Sequence, residues 1–158
     1  MLLQSDRLHI RFFVVGGDAV PKARKEVELA VRVGNKPGAL GEVLGIVASR
    51  GINVLAYCSY SDREDAIILL VTEDALSAKL ALEAAGFKCK ANSVVVVGAP
   101  DQVGAAAQLG AHLGWAGIDI LYSYASSAGS EQFFAVFKTM NDEQAIRVLE
   151  ASPLARAA

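Results

Sequence analysis

The sequence predicts an α+β protein made of two β-α-β-β-α-β repeats, and three observations predict it. Apolar residues alternate between a period of two and helical spacing, in the order strand, helix, strand, strand, helix, strand. The same pattern returns about 66 residues further along the chain. With 53% hydrophobic and 20% charged residues, the chain can bury a core. Each repeat should form an antiparallel sheet with two helices on one face, the ferredoxin-like arrangement.

The elements of the first repeat follow from its hydrophobic pattern. Residues 27–33 alternate apolar and polar side chains, as a half-buried strand does. Residues 40–47 carry apolar residues at helical spacing after an Asn-Lys-Pro-Gly turn, and Gly51 predicts the end of that helix. The remaining predictions are a strand at 52–60, a hairpin turn at 61–65, a strand at 66–72, a helix from about 74 to 86, and extended chain from 87.

The second repeat is a tandem copy of the first. The segment Gly117 to Leu121 falls on Gly51 to Leu55, and Asn141 with Gln144 three residues later predicts the start of the last helix. The predicted division is 1–25 as an N-terminal arm or strand, 26–91 as the first domain, and 92–158 as the second domain.

Two segments do not fit a simple duplication. The second copy ends without a good fourth strand, whereas Leu8–Val15 reads as a strand with no place in either repeat. We therefore hypothesise that residues 8–15 supply the missing edge of the second copy or pair in a dimer; the alternative is a floppy arm. Phe87–Val97 contains no Gly or Pro, so it is either one long strand or a bent pair that serves both copies.

Composition excludes several classes of function. The net charge of −2 argues against nucleic-acid binding, which needs a basic face. No apolar run reaches the ~18 residues of a membrane span, and no secretory signal is visible. Cys58 and Cys89 match no metal or redox pattern and are expected to be buried free thiols in a reducing, cytoplasmic compartment. No catalytic constellation, metal site or cofactor motif stands out, so no enzyme is predicted.

The loop before the first helix is suited to an anion. The first turn of a helix has unsatisfied N–H groups and a positive dipole end, where a carboxylate fits well. Gly38 permits close approach of the backbone, Pro37 rigidifies the loop, and Asn35 offers both a donor and an acceptor. From spacing alone, the alternative is that Asn35 is a helix cap and Pro37-Gly38 a turn.

These residues also carry a family resemblance. Asn35, the run Pro37-Gly38-Ala39-Leu40, and Gly51-Ile52-Asn53 resemble the ACT domain, and the whole chain resembles stand-alone tandem ACT proteins. The resemblance implies regulatory amino-acid binding without catalysis. In the serine-sensing ACT module of phosphoglycerate dehydrogenase, two asparagines hold the effector across a domain interface, and they fall on Asn35 and Asn53; a histidine of that module is replaced here by Val33. The implied ligand-binding residues are Asn35, Lys36, Pro37, Gly38, Ala39, Leu40, Asn53 and Val54.

The second copy departs from the pattern, because Asp101 and Asp119 replace the two asparagines. Two acids would repel a carboxylate in the same pose. Asp101, Gly104 and Asp119 therefore form a weaker second site whose acids meet an amino group or a cation, or this copy is structural and Asp101 caps its helix.

Further residues bear on partners. Strand residues 52–57 are apolar on both faces, so we expect a homodimer that packs sheet against sheet. Trp115 is expected in the core or as an interface anchor, and the four tyrosines of the second strands are expected on the sheet surface. The alternative to an amino-acid sensor is a structural or protein-interaction module without a small-molecule ligand. An acylphosphatase-type enzyme would need an arginine in the first loop, where only Lys36 stands, and an RNA-recognition module would need aromatic residues on residues 27–33.

Overall fold

The computed structural model describes residues 20–62, 64–127 and 132–155 of the 158-residue chain. Within these ranges it contains six strands and four helices. They are β1 (Lys22–Gly34), α1 (Ala39–Ser49), β2 (Val54–Asp62), β3 (Asp65–Thr72), α2 (Ala75–Ala84), β4 (Lys88–Pro100), α3 (Ala105–Trp115), β5 (Ile120–Ser127), β6 (Gln132–Thr139) and α4 (Asp142–Ala151).

The six strands form one sheet in the order β2-β3-β1-β4-β6-β5, with every neighbouring pair antiparallel. Odd-numbered residues of β1, such as Leu29 and Val31, pack against α1 and α2 in the core of the first repeat. Val95 and Val97 of β4 belong in the same way to the core of the second repeat, with Leu109 and Leu149 of α3 and α4. The predicted α+β class with two ferredoxin-like repeats is confirmed.

The two repeats correspond residue by residue. Strand β4 and helix α3 begin 66 residues after β1 and α1, and α4 begins 67 residues after α2. Helices α1 and α3 both follow a glycine with positive φ, 90° at Gly38 and 86° at Gly104. Residues with a Cβ rarely adopt this conformation, so glycine at both positions allows the chain to turn directly from strand into helix.

The central strands β1 and β4 belong to both repeats. Phe87–Val97 was expected as one long strand or a bent pair, and β4 is one strand from Lys88 to Pro100. The first half of β1 pairs with the second half of β4, from Lys22 beside Gly98 to Glu26 beside Val94. Each strand is thus the first strand of one repeat and the fourth strand of the other.

This arrangement corrects the prediction for the missing edge of the second repeat. That position, next to β4, is occupied by residues 22–26 of β1 and not by residues 8–15. The segment 8–15 itself lies outside the described residues. Residues 22–26 carry mostly charged side chains, so the hydrophobic pattern did not indicate a strand there. The boundary placed between residues 91 and 92 falls inside β4, so a division there remains a proposal.

The face of the sheet opposite the helices is covered within the chain. Val71, Val94, Val96 and Val136 on this face are buried in a cluster that also includes side chains of the edge strands β2 and β5. Because side chains stand roughly perpendicular to a sheet, contact between its two ends requires the sheet to curl around this face. The homodimer stays a prediction, but the uncovered sheet face no longer supports it.

Two helices begin at side-chain caps. Asp74 Oδ1 accepts a hydrogen bond from the Ser77 N–H at 2.9 Å, and Asn141 Oδ1 accepts one from the Gln144 N–H at 3.1 Å. The predicted start of the last helix at Asn141 is therefore confirmed. Satisfying a first-turn amide in this way stabilises a helix by roughly 1 kcal/mol.

Three side chains depart from expectation. Trp115 is 82% exposed at the end of α3, so its placement in the core is wrong and a role at an interface remains a prediction. Cys58 and Cys89 are free, as expected, but only half-buried.

In the described part of the chain, no helix is long and apolar enough to cross a membrane.

Candidate functional site

A cleft of ≈ 250 Å³ lies at the N-terminus of α1, where the sequence places its candidate loop. One wall is the loop and first turn of α1, and the other is the end of β2 with the neighbouring strand β3. The loop is held to the β2–β3 turn by a 2.7 Å hydrogen bond from the Asn35 N–H to the Glu64 carbonyl. The lining residues are Asn35, Lys36, Gly38, Ala39, Leu40, Ser59, Tyr60, Ser61, Ala66 and Ile68.

The first turn of α1 is uncapped by side chains in the described part of the chain. Its N-cap residue is Gly38, which has no side chain to accept a hydrogen bond. The interpretation of Asn35 as the cap of this helix is therefore wrong. By contrast, α2 begins at the side chain of Asp74. A helix start without a side-chain acceptor keeps its positive end available to an anion from outside.

The charges around the cleft are mainly paired at its rim. Lys36 Nζ lies 3.3 Å from Glu42 Oε2, and Arg32 Nη1 donates to Asp65 Oδ2 at 2.8 Å. Both pairs are exposed, so they are screened and contribute little to stability. Lys36 can exchange Glu42 for a ligand carboxylate at small cost, because an exposed ion pair is weak.

The structure separates Asn53 and Val54 from this cleft. The Asn53 carbonyl accepts a hydrogen bond from the Glu73 N–H at 3.1 Å, at the end of β3, and Val54 pairs with Thr72. Asn35 is instead tied to Glu64, just before β3 begins. The two asparagines thus lie at opposite ends of α1, whose 11 residues span about 16 Å. One copy of the chain does not bring them together.

A larger cleft of ≈ 410 Å³ lies at the Asn53 end of α1. Size alone would favour it as the binding site. The smaller cleft is the better candidate because Asp74 already satisfies the helix start at the larger one. The larger cleft is lined by Arg50, Ile52, Asp74, Ser77, Leu80 and Ala81.

In the second repeat, a side-chain hydrogen bond joins the two positions that line opposite walls of the first cleft. The Ser127 hydroxyl donates a hydrogen bond to Asp101 Oδ2, and these residues correspond to Ser61 and Asn35 on the two walls of the first cleft. The interpretation of Asp101 as a helix cap is wrong, since the N-cap of α3 is Gly104, without a side-chain bond. Asp119 lies at the far end of α3, where its carbonyl accepts from the Met140 N–H at 3.1 Å.

The end of the chain adds a second restraint on that repeat. The Ala155 carbonyl accepts 2.9 Å hydrogen bonds from the side-chain amides of Gln102 and Gln108, and its N–H donates to Gln108 Oε1 at 2.7 Å. These glutamines occupy the positions of Lys36 and Glu42, which form an ion pair in the first repeat. Residues around the start of α3 are therefore committed to contacts within the chain.

Sequence reasoning missed the wall formed by Ser59, Tyr60 and Ser61. The order of the elements could have indicated this wall. The second strand runs back along the first helix, so its last residues lie near the start of that helix. Elsewhere, the described residues hold no group of three or more His, Cys, Asp or Glu side chains arranged to bind a metal ion.

The chain belongs to the ACT domain pair family, whose pattern it matches over residues 26–155. This match covers both repeats and agrees with the fold and with the loop-to-helix geometry at Gly38 and Gly104. ACT domains are regulatory modules, so the family places this chain among regulatory domain proteins.

Solved structures share the fold over most of the chain. Protein BT0572 from Bacteroides thetaiotaomicron is 27% identical, with a TM-score of 0.76 over 82% of this chain and 89% of that one. The ligand-free regulatory subunit of aspartate kinase from Thermus thermophilus is 17% identical, with a TM-score of 0.62 over 84% and 97%. Aspartokinase III from E. coli, in complex with lysine and aspartate, is 16% identical, with a TM-score of 0.52 over 83% and 31%. No curated protein matches the chain.

Proposed function

We propose that this chain is a non-catalytic regulatory protein that binds a free amino acid in the cleft of its first repeat. The observation that carries the proposal is the uncapped N-terminus of α1, which opens on a cleft with polar and apolar walls. The ligand carboxylate lies at the first-turn amides, where the helix dipole favours negative charge.

The remaining lining residues suit the rest of an amino acid. The carboxamide of Asn35 can donate to the ligand's carboxylate, and the hydroxyls of Ser59 and Ser61 offer donors and acceptors to its ammonium group or a polar side chain. Leu40 and Ile68 offer apolar contact to the ligand's carbon atoms. A cleft of ≈ 250 Å³ admits a single amino acid more readily than a nucleotide or a peptide.

We further propose that two copies of the chain complete the site. Asn53 lies too far from Asn35 within one chain, but an antiparallel pairing of two copies along β2 would place Asn53 of one copy beside Asn35 of the other. Exposed Tyr57 on this edge strand offers apolar surface for such a contact. A dimer of this kind would carry two equivalent sites, and we assign it to the cytoplasm.

The second repeat supports the rival hypothesis of a structural module, but only for itself. There, the bond between Asp101 and Ser127 occupies the side chains at the positions of Asn35 and Ser61. We therefore propose one ligand per chain, with the second repeat as a scaffold. In the first repeat, Asn35 and Ser61 line a cleft of ≈ 250 Å³.

The test is a thermal-shift screen of the full chain against the twenty amino acids. Ligand at 100 times its Kd stabilises the folded state by about 2.7 kcal/mol, which for a chain of this size raises Tm by roughly 5–10 °C. Each active amino acid is compared with its amine analogue lacking the carboxylate, which should give no shift. If no amino acid raises Tm, the first repeat is also a structural module.

A further inference from the structure

The centre of the curled sheet holds a fully buried carboxylate. Glu28 of β1 is 0% exposed and lies on the face opposite the helices. Its two oxygens accept hydrogen bonds from Tyr122 and Tyr124 of β5, the second at 2.9 Å. Strand β5 lies three places from β1 in the sheet, so these bonds join the edge of the second repeat to the centre of the molecule.

A buried carboxylate is costly unless its charge is satisfied. Within the described residues, no cation forms an ion pair with Glu28, and the two tyrosine hydroxyls are its hydrogen-bond donors. Burial, together with the hydrogen bond to Glu28, raises the pKa of both tyrosines above the usual value, so both remain donors at neutral pH. Loss of either phenol leaves an oxygen of Glu28 buried without its donor.

These bonds lie next to a seam between the two edge strands. Strands β2 and β5 are the two ends of the sheet and share no backbone ladder. Side chains close the gap instead, since Leu55 and Ala56 of β2 pack in the same apolar cluster as Tyr124. An interface made of side chains alone can open without loss of any strand pairing.

The seam also borders the candidate cleft. Tyr60 lines that cleft, and its pairing with Ile67 puts its side chain on the same face of β2 as Cys58 and Ala56, the face toward the apolar cluster. From this face Tyr60 also raises the pKa of Tyr122. Cys58, two residues earlier on the same face of β2, likewise raises the pKa of Tyr124. One residue of the cleft therefore adjoins the tyrosines that hold Glu28.

We propose that the β2–β5 seam is the conformational element of this protein, that Glu28 with Tyr122 and Tyr124 is the latch that keeps it closed, and that ligand in the first-repeat cleft acts on the latch through Tyr60. The coupling to ligand rests on the proposed function, whereas the latch does not. Opening the seam would expose the apolar cluster beneath it, which is a change that another protein can detect.

The hydrogen-bonded latch occurs once in the molecule, because the corresponding residues of the other repeat cannot form it. The repeat counterparts of Glu28, Tyr122 and Tyr124 are Val94, Ala56 and Cys58. The reciprocal contact is therefore apolar, with Val94 and Ala56 in one cluster. Hydrogen bonds to Glu28 thus join β5 to β1 of the first repeat, whereas β2 contacts the sheet face through apolar packing.

Cys58 provides a direct probe of the seam. The full chain is labelled with a thiol reagent, and the rates at Cys58 and Cys89 are followed separately by mass spectrometry of peptides. Cys89 packs against the core of the first repeat and reports global unfolding. Loss of a hydrogen bond to a charged group should raise the labelling rate at Cys58 about tenfold for Tyr124→Phe, with no change at Cys89.

Glu28→Gln keeps the size of the side chain but replaces one of the two acceptor oxygens with an NH2 donor and removes the charge, so it should also raise the labelling rate at Cys58. This variant separates latch opening from a purely local effect of Tyr124 on its neighbour Cys58. Ser123→Ala, which lies between the two latch tyrosines on the opposite face of β5, is the control and should leave both rates unchanged. Unchanged labelling of Cys58 in both latch variants, or equal acceleration at both cysteines, would overturn the latch.

The coupling is tested with each of the twenty amino acids that raises Tm. An active amino acid should change the labelling rate at Cys58 at least about threefold in the unaltered chain, and this effect should disappear in Tyr60→Ala, which removes the connecting ring. Binding without any change at Cys58 would refute the coupling while leaving the proposed function intact. If no amino acid binds, the proposed function and the coupling both fail, and the latch is judged by the variants alone.

Discussion

Val27 pairs with Ser93, the residue that occupies its own position in the second repeat. A pair of this kind lies on the approximate twofold axis that relates the repeats. On either side of it, β1 and β4 exchange roles, each completing the sheet of the other repeat. The two ACT repeats are therefore interdependent parts of one sheet.

This exchange predicts that the repeats cannot be separated at the proposed boundary. Fragments 1–91 and 92–158 should each lack a cooperative thermal transition, because each loses a central strand and exposes its core. Circular dichroism during heating, with the intact chain as control, measures this. A cooperative transition in fragment 92–158 alone would contradict the shared-strand account.

Leu82→Ala should destabilise the protein by about 2–5 kcal/mol, since it leaves a cavity in the core of the first repeat. Leu82 is 0% exposed, whereas Leu80 on the same helix is 57% exposed. Leu80→Ala is therefore a matched control, with a change within about 0.5 kcal/mol. Urea unfolding measures both; similar losses would show that α2 does not pack as described.

Asp142 should make stability depend on acid. Its burial opposes ionisation, but hydrogen bonds from Ser93 Oγ (2.5 Å) and Thr139 Oγ1 (2.6 Å) prevail and hold the pKa of the carboxyl below its usual value. A lowered folded-state pKa adds stability above the unfolded value, near 3.9, and that stability is lost as pH falls through the folded value.

Asp142→Asn removes this contribution. The variant should be less stable than the original chain at pH 7, by up to about 1 kcal/mol because the site is only partly buried and solvent screens part of the effect. The difference should shrink below about pH 4. Urea unfolding at several pH values measures it, and a difference that is constant with pH would exclude a role for the charge.

Asn35→Asp places the residue of the second repeat in the first cleft. A carboxylate beside the ligand's own carboxylate should weaken binding about tenfold or more through repulsion. Calorimetric titration with an active amino acid measures the change. Asp119→Asn, outside both clefts, should bind as the original chain does; an unaffected Asn35→Asp variant would remove Asn35 from the site.

A site shared by two copies makes a distinct prediction for mixtures. Asn35→Asp and Asn53→Ala should each bind poorly alone. A dimer that contains one copy of each has one site with both original asparagines. Because random exchange of equal amounts makes about half of the dimers mixed, mixing the variants should restore about a quarter of all sites. Recovery is measured by calorimetry after subunit exchange. No recovery, with both variants dimeric, would place the whole site within one chain.

The local pattern was sufficient for most of the secondary structure. Helix spacing, the Asn141 cap and the glycines at 38 and 51 depend on neighbours within one turn, so the sequence states them directly. The tandem repeat was equally visible, because duplication preserves both spacing and apolar pattern. The loop before α1 was singled out for the same reason, and its residues line a cleft; their role in ligand binding stays a prediction.

The opposite wall, Ser59 to Ser61, depends on how β2 returns along the sheet, which no local pattern records. Asn35 and Asn53 resemble one site in sequence but lie at opposite ends of a helix, because each end of α1 faces a different end of the sheet. The bond between Asp101 and Ser127 likewise joins residues brought together by folding alone.

The sequence by itself determined the elements, the duplication and the helix start that suits an anion, because these depend on short-range geometry and on the period of apolar residues. The tertiary structure decided which strands complete which repeat, what covers the second face of the sheet, and which partners satisfy Glu28. Those outcomes depend on contacts between residues that are distant along the chain. The sequence shows that a buried charge needs hydrogen-bond donors and that an apolar face needs a cover, but it does not show which residues supply them.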